Sequence, residues 1–259
     1  MVSRNVSTVI AVTVCLLVST ISWADNGYVY LDATYNSKYV WRGITFVDNS
    51  VLQPSIMIGA DNLSLCAWGS IEMTNENIYA GEDSTAGDFT EADIFIDYTR
   101  GIGPVTVSGG LMYCTYPNTG YRATTELYIA GSLGILLSPT LTLYRDIVEA
   151  DGFYGSLGLS HTFSGISPSL GIADPAITIS GSTGYGNSLH NAYYYGVDKA
   201  AVADLTLCGA FSFTLAETIW LNTSLNHAML LDSEIKEAFE PSELESNTWF
   251  GMSLTWQPI

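Results

Sequence analysis

From Tyr28 to Asn36 the chain changes character at every residue: Val29, Leu31, Ala33 and Tyr35 alternate with Tyr30, Asp32, Thr34 and Asn36. A strict two-residue period places the two sets on opposite faces of one extended strand, so one face is apolar and the other is wet. The pattern recurs along the chain. Its apolar faces are Leu52, Ile56 and Ile58; Leu63, Leu65, Ala67 and Ile71; Ala92, Ile94, Ile96 and Tyr98; Val105, Val107, Leu111 and Tyr113; Leu127, Ile129 and Leu133; and Leu141 and Leu143. Phe153, Leu157 and Leu159 follow, then Ile177 and Ile179, then Leu205, Leu207 and Phe211, then Ile219, Leu221 and Leu225, and finally Phe250, Met252, Leu254 and Trp256. This predicts about twelve strands, whose opposite faces carry mostly Ser, Thr, Asn, Gly, Tyr and acids.

The connections fall into two length classes that alternate. Asp61-Asn62, Gly101 to Pro104, Leu136 to Pro139 and Ala216-Glu217 are short turns of the usual chemistry. Ser37 to Ser50, Thr74 to Asp88, Pro117 to Thr124, Val148 to Gly152, Gly186 to Lys199 and Leu230 to Ser246 are longer and polar. Ser164 to Pro175 stands where a short turn is called for and is longer than one. A soluble β-sandwich has no reason to sort its loops by length. A closed antiparallel up-and-down transmembrane β-barrel does, and in lipid it must close, because an open edge leaves backbone amides unsatisfied. Tyr35, Tyr39 and Trp41 share the outward parity of the first strand and suit one interfacial girdle, with Trp256 suiting the other.

The first 24 residues read differently. Arg4 supplies a basic start, Val6 to Val18 an apolar stretch, and Ser22-Trp23-Ala24 small residues at the positions a signal peptidase accepts. We therefore expect a cleaved signal peptide over 1–24 and a single barrel domain over 25–259, in the outer membrane of a bacterial envelope. Charged residues make up only 13% of the chain and aromatics 12%, yet the part after residue 24 has no apolar run long enough for a spanning helix. The net charge of −18 makes nucleic acid an improbable partner. Cys66, Cys114 and Cys208 lack any Cys-x-x-Cys spacing, so the sequence signals neither a disulfide framework nor a zinc motif.

Ser37-Lys38-Tyr39-Val40-Trp41-Arg42-Gly43-Ile44-Thr45, followed by Asp48-Asn49-Ser50-Val51-Leu52-Gln53-Pro54, resembles the opening signature of the TorF-type porin family. Lys38 stands where that signature carries an acid, and Pro54 falls one place late. Gly103 to Asn118 looks like the family's middle hairpin and Gly155 to Phe163 like a later strand, so the likeness is densest in the first third. The resemblance implies an outer-membrane barrel with a transport role and names no substrate.

Parity places Asp32, Glu72, Glu91, Asp93, Asp97, Glu126, Asp146 and Asp204 on the lumen side, most of them near a long loop. Such a ring concentrates cations and repels anions. Lys38 and Arg42, on an extended first strand, would point at that acidic wall. Two roles are open for Arg42: one side of a transverse field facing Glu91 and Asp93, or a structural ion pair that closes the lumen or pins the first loop. Two readings are open for Arg145: its outward parity sets it at a rim where lipid phosphates lie, or a bulge turns it inward.

Catalytic chemistry is not expected. His161, His190 and His227 find no serine partner in register, since Ser224 points inward while His227 points outward, and His190 reads as a solvated loop residue. The acidic loops Glu76 to Asp88 and Asp232 to Glu245 lack the spacing of a calcium loop, so no metal or cofactor is expected. Glu234 to Phe239 fits a short helix stopped by Pro241, able to fold over the mouth. The expected function is passive diffusion of small hydrophilic solutes with a preference for cations. The expected surroundings are outer-membrane lipid, lipopolysaccharide and the barrel-insertion machinery, with a homo-oligomer left open. The alternative is a filled, non-conducting barrel acting as an adhesin or envelope scaffold: Tyr30, Phe95, Tyr116, Tyr128 and Tyr144 are bulky inward residues, whereas Ser108, Gly110, Ser132, Ser156, Gly158 and Ser224 leave room.

Overall fold

The computed structural model describes residues 26–75, 86–166, 172–239 and 246–258. The expected signal peptide, most of the Glu76 to Asp88 loop, the end of the Asp232 to Glu245 loop and the middle of the Ser164 to Pro175 connection lie outside them. In chain order, β1 (Gly27–Asn36) leads to a short hairpin, β2 (Tyr39–Trp41) and β3 (Ile44–Val47). Then come β4 (Val51–Ala60), β5 (Leu63–Glu72), β6 (Phe89–Ile102), β7 (Val105–Thr115), β8 (Thr124–Leu133), β9 (Thr140–Asp146), β10 (Phe153–Phe163) and β11 (Ala173–Gly186). Helix α1 (Ser188–Tyr195), β12 (Ala201–Ala216), β13 (Ile219–Leu230), helix α2 (Ser233–Phe239) and β14 (Ser246–Trp256) complete the order.

Every barrel strand pairs antiparallel with its neighbours, and the ring closes where β1 meets β14 and β4, so no sheet edge is left open. All the strands expected from the two-residue period are present. Among the described residues the barrel closes with twelve strands. β2 and β3 stand apart as a separate two-stranded sheet, folded out of the segment that parity alone extends from β1.

No helix of the described residues is long and apolar enough to cross a membrane, and the apolar surface is carried by strands instead. Ile129 is 56% exposed and Leu225 62%, on the outer face of the wall. A belt of this kind is stable only against lipid, since in water its exposure would far exceed the patches that soluble monomers tolerate. Aromatic girdles flank it, with Trp256 where it was expected and other residues at the long-loop end. Tyr113, Phe153, Tyr185 and Phe250 are exposed at the long-loop end, and Tyr98, Phe163 and Trp256 at the short-turn end. Ile129 lies midway along β8, so Ile129→Arg is expected to cost about 2–4 kcal/mol of folding into phospholipid vesicles. The same change at lumen-facing Ser132 should cost less, and equal costs would contradict the assigned faces.

Candidate functional site in the barrel lumen

The wet face of the wall carries the acids that parity assigned to it. Glu72, Glu91, Asp93, Glu126, Asp146 and Asp204 are all buried towards the long-loop end. Asp97 sits deeper, accepting from the Tyr128 hydroxyl at 2.5 Å and from Thr99 Oγ1 at 2.6 Å. Asp32 accepts from Thr34 and Thr255. Asp146 is committed locally: one carboxylate oxygen accepts from the backbone N–H groups of Val148 and Glu149 and the other from Thr124 Oγ1.

The sequence could not supply the contents of the mouth. The β2–β3 hairpin folds into the barrel and turns at Arg42-Gly43, where both residues have positive φ, 47° and 79°. This is the backbone of a tight two-residue hairpin turn, for which glycine is favoured and arginine is strained. Gly43 is required on a second ground, because a Cβ there would lie 2.8 Å from Asp204 Cβ and 2.9 Å from Leu230 Cδ2. The strained arginine is held by what it reaches. Its Nη1 and Nη2 donate to the two carboxylate oxygens of Glu126 at 2.9 and 2.7 Å. The side chains of the pair are only 6% and 2% exposed. The guanidinium carbon lies 4.0, 4.7 and 4.2 Å from the ring centroids of Trp41, Tyr144 and Tyr154. A planar cation suits this cage better than an ammonium would, since it forks onto the carboxylate while stacking on the rings.

Helix α1 closes the cage from the other side. Asn187 caps it by accepting from the His190 N–H at 3.0 Å, and Gly196 ends it at φ 72°. His190 Nε2 lies 3.1 Å from Arg42 Nη1, and its Nδ1 lies 3.1 Å from Asn191 Oδ1. Asn191 Nδ2 in turn donates to the carbonyls of Gly186 and Lys199. With Arg42 able only to donate and the Asn191 amide turned this way, the imidazole is neutral: Nε2 accepts and Nδ1–H donates. Burial, reinforced by the Arg42 charge, pushes the His190 imidazole down to about 3.

The Tyr195 hydroxyl donates to the Arg42 carbonyl at 2.8 Å, and Tyr154 to Asp204 at 2.9 Å. Around them Ile44, Tyr195, Ala201, Ala203, Leu230 and Ile235 form an apolar cluster, with Phe46 and Phe239 packed against it. Ala203 is the extra residue of a β-bulge in β12, which turns it toward the interior beside Asp204, already inward by parity. Lys199 ties the region to the start of α2, donating to Asp232 and Glu234 at 2.9 and 2.8 Å. The hairpin, α1 and α2 thus make one plug across the long-loop end.

Several expectations change accordingly. Tyr39 and Trp41 are not girdle residues, because the hairpin carries them inside, where Tyr39 packs on Phe46 and Trp68 and Trp41 packs on Tyr194. Lys38 does not face the acidic wall: it pairs with Asp48 within the first loop. Arg42 meets Glu126, not Glu91 and Asp93, since a turn rather than an extended strand sets its direction. His190 is buried in the plug and not a solvated loop residue. α2 spans Ser233–Phe239, one residue longer at its start than the expected Glu234 to Phe239, and Arg145 keeps its outward parity beside Phe153, paired with Asp151. His227 shares a hydrogen bond with Thr248 on the outer face, and His161 meets the edge of Phe163.

Below the plug the lumen opens. A cavity of about 460 Å³ is lined by Arg42, Tyr144, Tyr154, Ser156, Ser182 and Asp204. Toward the short-turn end another of about 210 Å³ is lined by small residues, among them Gly158, Ser160, Ser180 and Cys208. A side cavity of about 290 Å³ lies between the hairpin and the wall at Tyr39, Trp68, Glu91, Asp93 and Cys114.

No protein-family model matches the chain, and no curated protein does. Solved structures do. A KdgM porin superposes with a TM-score of 0.51 at 10% identity, over 88% of this chain and 98% of that one. A KdgM porin in complex with disordered oligogalacturonate superposes to the same extent. A NanC porin gives 0.52 at 9% identity, over the same shares of the two chains. At such identities the likeness is one of fold, and the chain has the architecture of these twelve-stranded porin-type barrels.

Proposed function

We propose that the protein is an outer-membrane channel of porin type for small hydrophilic solutes, preferring cations, with a built-in plug at its outer mouth. One observation carries this reading: the lumen below the plug is hollow and polar, its wall carries Glu126, Asp146, Asp204 and Asp97, and Arg42, the interior cation found among the described residues, is already neutralised by Glu126. An acidic low-dielectric passage raises the local cation concentration and repels anions. The likeness of the opening segment to the TorF-type family and the shared fold with the KdgM and NanC porins support a transport role. They do not extend to substrate. Oligogalacturonate, the ligand named for one KdgM structure, is a chain of acidic sugars, and the acidic lining here disfavours such a solute. The apolar belt, the girdles and the signal-like first 24 residues support an outer-membrane location with the long loops outside.

The buried plug favours a resting closed state, so the channel is read as one that opens when the hairpin withdraws. Purified protein in a planar bilayer under a potassium chloride gradient tests this. Stepwise currents with a reversal potential on the cation side are expected, rare in the wild type and frequent once the Arg42–Glu126 pair is broken. Silence from both proteins over many insertions would favour a filled scaffold barrel, and anion selectivity would refute the acidic-lumen reading.

A further inference from the structure

β6 and β7 bring together a set of donors that the channel reading does not use. Asp93 and Cys114 are directly paired across the two strands, and Glu91 lies two residues before Asp93 on the same face. One donor atom from each, a carboxylate oxygen from Glu91 and from Asp93 and the Cys114 thiol sulfur, falls within 4.8 Å of the others, and all three residues are buried. Asp93 is 5% exposed, yet its Oδ1 has no hydrogen-bond partner. All three residues line the side cavity of about 290 Å³. Arg42 does not compensate this group, because both of its terminal nitrogens are engaged by Glu126.

We propose that Glu91, Asp93 and Cys114 bind a divalent transition metal, with zinc(II) the ion class that fits best. Two carboxylate oxygens and a thiolate form a mixed, borderline-soft donor set, unlike the all-oxygen cages of calcium and magnesium. Three protein ligands leave one position of a tetrahedron free, and here that position faces the cavity. Ligand atoms around zinc are about 3.3–3.8 Å apart, given metal–ligand bonds of about 2.0–2.3 Å, so small side-chain rotations bring this set onto one ion. The unpartnered Asp93 oxygen gains its missing partner, and a dication offsets charges that are otherwise costly to bury together. No motif spacing announces this site, because its ligands come from two strands.

The full barrel, purified in detergent and stripped with chelator, is titrated with zinc(II) alone by calorimetry and with cadmium(II) alone by ultraviolet thiolate absorption. One equivalent is expected to bind, with a metal–thiolate band that persists in Cys66→Ser and Cys208→Ser and vanishes in Cys114→Ser. Asp93→Asn, close in shape to the wild type, should weaken zinc by at least about tenfold, a scale on which even outer-shell changes around a metal are felt. Heat-modifiable migration on gels reports that each variant is folded. No uptake by the wild type, a band that follows Cys66 instead, or zinc binding unchanged in Asp93→Asn would overturn the proposal. The readout is binding, so the result stands whether or not the barrel conducts.

Discussion

Arg42→Ala is expected to unlatch the plug and raise the frequency of open-channel events on the order of a hundredfold or more, leaving the barrel intact. The substitution removes both hydrogen bonds to Glu126 and the contacts with three rings, and strands a buried carboxylate. Breaking one side of such a pair costs about 3–5 kcal/mol, most of it from the charge left without a partner. That sum is far larger than what a solvent-screened surface pair such as Lys199–Glu234 contributes. Arg42→Lys should fall between, since an ammonium keeps the charge but loses the fork and the stacking. Removing both partners, in Arg42→Ala with Glu126→Ala, should cost less than the two single changes added together, because no charge is then stranded. Single-channel recording of the wild type, the two Arg42 variants, Glu126→Ala and the double variant, alongside the melting of each barrel, checks this. Unchanged gating in Arg42→Ala would mean that the hairpin is held by its apolar cluster alone.

Acidification is the second large effect. Inside the plug His190 is neutral, pushed down to about 3 by burial and by Arg42, whereas a free imidazole titrates near 6.5. Between those values the closed plug binds fewer protons at this site than the opened one. Its stability is therefore fully present above about pH 6.5 and is lost progressively as pH falls toward 3, by up to about 1.4 kcal/mol per unit. A protonated imidazole cannot accept from Arg42, and it places a second cation beside the first. Open events should accordingly rise between pH 6 and 4, by about tenfold per unit at most. Asp146 and the rings of Tyr154, Tyr194 and Tyr195 also surround this histidine, so the wild type is compared with His190→Gln, whose amide can still accept from Arg42. The variant should lose most of the pH dependence, and equal slopes in the two proteins would exclude the imidazole as the titrating group.

The wall was legible because its physics is local. A strand with lipid on one side and water on the other must alternate, and Val105 to Tyr113 or Phe250 to Trp256 display that period without knowledge of any other strand. The acids at Glu91, Asp93, Glu126 and Asp204 inherit their inward direction from the same rule. The plug left fainter traces. Ala228 and Leu230 are apolar residues on the lumen parity of β13, and both are fully buried. They mark a place where the wet face had to meet something dry. Asn187 and Gly196 are an ordinary helix start and stop, nine residues apart, inside a segment read as a solvated loop.

By itself the sequence determined that this chain closes on itself with an apolar exterior and an acidic interior, since periodicity and turn chemistry act between near neighbours. Only the tertiary structure decided that the first long loop turns back into the barrel at Arg42-Gly43, that Glu126 receives the arginine, and that Asp93 and Cys114 face each other beside Glu91. Those pairings join residues distant in sequence, and whether a loop lies in water or in the mouth depends on the total burial it finds there. No local pattern encodes that quantity.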